Sequence, residues 1–185
     1  MHTLHTTEAF ILDSYEHGET SRVYKLFTKE KGMLFAHGQG VREVKNKNRY
    51  ALRTHTLMEV TLVRGREVWR ITSAREKTAD APQEFRNVLH FIGSIIPREV
   101  SEQELFIDLV ALQEVMCSMP RVRDVAERIG VLRGMMLLGY VDKHEVPVSC
   151  ADMFAYGTYT PILCDAVAQE YDVFAQFVNM LFSRV

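Results

Sequence analysis

Cysteine is scarce and poorly spaced for structural work. The 185-residue chain holds three, Cys117, Cys150 and Cys164. An odd number with no close pair argues against a disulfide framework and fits a reducing compartment. No apolar run is long enough to span a bilayer, and the start, Met1-His2-Thr3-Leu4-His5-Thr6-Thr7-Glu8, lacks the basic residues and apolar centre of a signal peptide. A cytoplasmic protein with no membrane contact is expected. Enzymatic signatures are absent as well: there is no G-x-S-x-G, no P-loop and no H-E-x-x-H. His17, His37 and His55 are scattered and read as surface or turn residues rather than bases. The expectation is therefore no enzyme, no catalytic residue and no cofactor. Internal repeats and low-complexity tracts are also missing.

What is present is an apolar fraction of 47%, globular rather than disordered, and an uneven charge. The formal net charge is −2, yet residues 1–80 hold 14 Lys and Arg against 10 Asp and Glu, leaving 8 and 14 for residues 81–185. Between Ser21 and Arg75 the only acids are Glu30, Glu43, Glu59 and Glu67, so the excess of positive charge is local. Such a segment should prefer a polyanion.

Period-two alternation predicts five short strands over Ala9 to Tyr15, Ser21 to Lys29, Met33 to His37, Thr56 to Arg64 and Val68 to Ser73. Turns are marked by His17-Gly18, Lys31-Gly32 and Arg64-Gly65-Arg66. From Asp80-Ala81-Pro82 the period changes to that of helices. Phe85, Val88, Leu89, Ile92 and Ile96 form one stripe, ended by Pro97. Ser101 and Glu104 suggest a capping box before a second helix that runs to Pro120. Arg121 to Leu138 is a third, with Gly139 as its stop, and Asp165 is the expected cap of a last helix carrying Tyr171, Phe174, Val178 and Leu181. The predicted class is α+β, with a five-stranded barrel over residues 1–79 and a helical domain over 80–185.

A barrel of five short strands with one long basic connection suggests an OB-fold, which offers a strand face and its loops to single-stranded nucleic acid. The long connection is Gly38-Gln39-Gly40-Val41-Arg42-Glu43-Val44-Lys45-Asn46-Lys47-Asn48-Arg49. If extended, it places Lys45, Lys47 and Arg49 on one side. Arg42 belongs to the same loop, Arg22 is a further cation of the basic segment, and Arg64, Arg66 and Arg70 lie on the neighbouring hairpin, so loop and hairpin become two walls of a groove. Tyr24 and Trp69 are candidates for stacking on bases, against the competing reading that both are buried barrel aromatics.

The ordered set Ala9-Phe10-Ile11-Leu12, His17-Gly18-Glu19-Thr20-Ser21-Arg22, Leu26-Phe27-Thr28-Lys29-Glu30-Lys31-Gly32 and His37-Gly38-Gln39-Gly40-Val41-Arg42 resembles the N-terminal domain of the bacterial DNA repair protein RecO. The likeness continues through Leu57-Met58-Glu59-Val60 and, weakly, from Leu132 to Tyr140. It implies an OB-fold followed by helices and a non-enzymatic recombination mediator. Such a protein binds single- and double-stranded DNA, anneals complementary strands, works with RecR and the single-strand binding protein SSB, and helps to load RecA. The family's loop cations correspond to Arg42, Lys45, Lys47 and Arg49. Many relatives carry a four-cysteine zinc module, which this chain lacks; His144, Cys150, Cys164 and Asp165 have no ligand-like spacing, so no metal is expected. The chain is also short for that family, which implies a reduced helical domain. The alternative is a protein-interaction adaptor in which the barrel is a scaffold and the acidic half docks partners.

Overall fold

The alternating segments become β1 Leu4–His17, β2 Ser21–Thr28, β3 Gly32–Gly38, β4 Leu57–Arg64 and β5 Trp69–Glu76. They belong to a computed structural model that describes residues 3–43, 45–46, 52–65, 68–78, 80–146, 159 and 171–182. β1 starts five residues before the expected Ala9 because Leu4 to Phe10 pairs antiparallel with β4 from Val63 back to Leu57. That half of the strand runs through His5, Thr6, Thr7 and Glu8, so its pairing is invisible to an apolar alternation.

β1 also pairs with β2, β2 with β3 and β4 with β5, all antiparallel. A short parallel contact, Ala36 to Trp69 and His37 to Arg70, joins β3 to β5. The closed order β1-β2-β3-β5-β4 is that of an OB-fold, as expected. One strand can serve both neighbours because the β1–β2 register shifts between Ile11 and Asp13, a bulge that bends β1. Ala9, Ile11, Tyr24, Leu26, Leu34, Ala36, Met58, Val60 and Leu62 fill the interior.

The chain forms two compact units, Met1–Ala81 with Gly93–Phe106, and Pro82–Ile92 with Ile107–Val185. The reason residues 93–106 join the barrel is chemical. Phe10 and Phe27 point outward from the strands, and Phe106 covers them with ring centroids 5.2 and 5.5 Å away; burying each such ring contributes about 1.5–3 kcal/mol. Met33 and Arg98 form a parallel bridge, and the Glu99 N–H donates to the Met33 carbonyl at 2.8 Å. This covers the part of β3 that β5 does not reach. Gly32 permits the approach: its φ is +65°, and a Cβ there would lie 1.7 Å from the Val100 carbonyl oxygen.

The described helices are α1 Gln83–Ile95, α2 Gln103–Ser118, α3 Arg123–Leu137 and α4 Tyr171–Phe182, with single 3₁₀ turns at Pro120–Val122 and Lys143–Glu145. Two expected starts shift. The first helical bond of α1 runs from Arg86 N–H to Pro82 C=O, so Pro82 holds the cap position and Asp80 pairs instead with Arg53. The first bond of α2 runs from Phe106 to Glu102, one residue beyond Ser101, which puts the Ser101–Glu104 box out of register. Gly139 does stop α3: at φ +77° its N–H donates to Met136 and that of Tyr140 to Met135, a Schellman motif. Asp165 lies outside the described residues; Phe177 and Leu181 of α4 are buried.

Within the second unit, Arg133 and Asp108 form an ion pair at 3.2 Å with side chains only 9% and 11% exposed. The Tyr159 hydroxyl donates to the other Asp108 oxygen at 2.6 Å, and the Arg133 guanidinium lies 4.6 Å from the Tyr159 ring centre. Burial raises the Asp108 carboxyl above its ordinary range, with Arg133 and Tyr159 opposing.

Candidate nucleic-acid interface

Tyr24 and Leu26 point into the barrel, and Arg22, two residues earlier on β2, continues the same face as the strand leaves the core. Its register partners are Glu16 on β1 and Gly38 on β3. Gly38 is required there: a Cβ would lie 2.8 Å from the Tyr24 ring and 2.9 Å from Val41. The chain then folds back on the β1–β2 turn. The Arg42 N–H donates to the Thr20 carbonyl at 2.9 Å and the Gly40 N–H to the Ser21 hydroxyl at 3.2 Å.

This brings Arg22 and Arg42 onto one carboxylate. Glu16 lies 3.3 Å from Arg42 and 3.9 Å from Arg22, whose Nη1 also donates to the Ser14 hydroxyl at 3.4 Å. Arg22, Tyr24, Val41, Arg42 and Leu52 line an open concavity of about 320 Å³ with an apolar floor and a cationic rim. The three side chains of the ion pairs are 39%, 40% and 59% exposed. Pairs so exposed contribute about 0–1 kcal/mol, so little opposes transfer of either guanidinium to a phosphate. Glu16 escaped the sequence reading; its position on Arg22's face, two residues after Ser14, was the available signal.

The other candidate residues are placed as follows. Through Asn46 the loop is a series of turns rather than extended, with Glu43 N–H on Gly40 and Asn46 N–H on Glu43. Lys45 is exposed in these turns. Lys47, Arg49 and Arg66 lie outside the described residues. Arg64 turns to Glu99 at 3.2 Å and lies 5.0 Å from the Trp69 ring centre, with Lys31 5.4 Å from the same ring. Arg70 is exposed on the outer face beside His37. Tyr24 is 2% and Trp69 8% exposed, both inside the barrel; burial raises the Tyr24 hydroxyl, with Arg22 opposing. Stacking on either ring requires it to leave the core. Burial, with His17 and Arg70 adding to it, holds His37 below the ordinary histidine range.

Among the described residues no three His, Cys, Asp or Glu side chains gather as a metal site, and no helix is long and apolar enough to cross a membrane. Cys150, Cys164 and Asp165 lie outside the described residues.

The closed barrel order defines an OB-fold domain, with a cationic concavity beside its β1–β2 turn. Residues 1–78 match the family described as recombination protein O N terminal, so the chain resembles RecO over its first domain. That match spans the five strands, less than half of the chain, and points to DNA repair and recombination as the general theme. No curated protein matches the chain.

Proposed function

We propose that the protein is a non-enzymatic mediator of DNA repair and recombination, acting in the cytoplasm. In this reading residues 1–79 bind single-stranded DNA, and double-stranded DNA as well. The helical unit, Pro82–Ile92 with Ile107–Val185, contacts partners. The carrying observation is the convergence of Arg22 and Arg42 on one concavity beside the β1–β2 turn, in a barrel that matches the recombination protein O N-terminal domain. Phosphate contacts position the strand without reading its sequence. Two strands held on a neutralised surface can then anneal without nucleotide hydrolysis. By resemblance to RecO, the partners proposed are RecR and SSB, with RecA loaded indirectly.

The test is a salt-titrated binding curve. Micromolar or tighter affinity for single-stranded DNA is expected, with log K falling by about 0.7 per phosphate contact for each decade of salt. Charge reversal at Lys45, Lys47 and Arg49 together should abolish most of the binding. Unaltered affinity would remove this loop from the interface, and affinity absent at low salt would remove the function.

A further inference from the structure

Opposite the arginine concavity, the outer face of the barrel carries a second feature. Tyr15, Val23, His37 and Arg70 are consecutive register partners on β1, β2, β3 and β5, one row across four strands. The next row is Asp13, Lys25 and Phe35. Tyr15 is 51% exposed and meets Phe35 edge-on with centroids 6.4 Å apart; His17 and His37 meet edge-on at 5.1 Å. Four ring systems therefore share one sheet face. Cations bracket them, Arg70 beside His37 and Arg98 with its guanidinium 4.8 Å from the Phe35 centre. The remaining charges on the face are engaged: the Lys25 ammonium donates to the Gly93 carbonyl at 2.6 Å, and the Asp13 carboxylate accepts the Ser14 N–H at 2.7 Å.

We infer that this outer face, Tyr15, His17, Phe35 and His37 flanked by Arg70 and Arg98, is a stacking platform for the unpaired bases of a single strand. The inference rests on the DNA-binding reading and adds to it the source of single-strand preference. Four planar rings around the single aliphatic Val23 suit π-faces better than a protein's apolar side chains, and flanking guanidiniums suit a phosphate backbone. Glu16 and His17 are consecutive on β1, so a strand leaving the arginine concavity needs only to round the β1–β2 turn to reach the platform. Bases inside a duplex present no free faces and gain nothing here.

The test compares the full chain with a double variant, Tyr15→Ala with Phe35→Leu, on two probes: a 15-nucleotide thymidine strand and a strand of the same length built of abasic sites. The wild type should bind the base-bearing strand at least about fivefold more tightly, as expected for one stacked base or more. The double variant should bind both equally, with an unchanged salt slope. Tyr15→Ala alone, at an exposed position, should lose part of the preference and serves if the double variant fails to fold by circular dichroism. Wild type without a preference for bases, or a folded variant that retains it, overturns the platform while the electrostatic reading stands. Wild type that binds neither probe at low salt overturns both.

Discussion

Glu16 is the residue on which the cationic rim turns. It draws the Arg22 and Arg42 guanidiniums to one place, and it opposes any phosphate that approaches them. Glu16→Gln keeps the size and removes the charge. Because the pairs are exposed, fold stability should change by less than about 1 kcal/mol. Affinity for single-stranded DNA should rise several-fold at low salt, and the gain should shrink as salt screens the site. Weaker binding by this variant would show that Glu16 serves to position the arginines. Tyr24 illustrates the opposite lesson at this scale. A tyrosine among basic residues reads as a platform, but its place in the period-two pattern with Leu26 sends it inward.

Among the elements, β1 is the organiser, and its unusual length is secured electrostatically as well as by hydrogen bonds. Glu8, in the half that pairs with β4, reaches Lys29 just after β2 at 3.7 Å and Lys77 just after β5. The Lys77 hydrogen bond is the main cause that lowers the Glu8 carboxyl below its ordinary value; partial burial opposes it and the charges of Lys77 and Lys29 assist. A lowered carboxylate contributes stability that is fully present above its unfolded pKa and disappears as pH falls through the folded one. Thermal melting should therefore show wild type above Glu8→Gln at pH 7, with the two converging on acidification below the ordinary carboxylate range. A difference that persists unchanged in acid would assign the effect to packing. The helix starts show why local signals slip at element ends. Ser101 and Glu104 have the right spacing for a cap, yet Phe106 must cover Phe10 and Phe27, and the first bond forms one residue later.

At the scale of the whole molecule, each unit carries its own stabilising device. In the barrel it is closure; in the second unit it is the buried cluster of Asp108, Arg133 and Tyr159. Asp108→Asn leaves the Arg133 guanidinium buried without its counter-charge and should destabilise the unit by about 3–5 kcal/mol. Hydrogen exchange of α2 and α3 amides measures this without requiring the two units to unfold together. Joint replacement of Asp108 by Leu and Arg133 by Met should recover much of the loss, since apolar packing then replaces a desolvated pair. Protection in Asp108→Asn equal to wild type would show that the pair is not the device.

Strand number, helical stripes, the Gly139 stop and the opposite charges of the two halves follow from local order alone, because alternation, helical spacing and backbone preferences are properties of neighbouring residues. Even the family likeness of residues 1–78 is carried by the order of short motifs. Which cations share a carboxylate is a different matter. Arg22 and Arg42 meet because β1 and β2 pair at Glu16 and the loop returns to Thr20, whereas Arg64, equally basic in sequence, is drawn to Glu99. The burial of Tyr24 and Trp69, the parallel closure of β3 on β5 and the ring row on the outer face likewise depend on contacts between residues far apart in the chain. Periodicity tells a side chain which face it takes, and only strand pairing decides what that face meets.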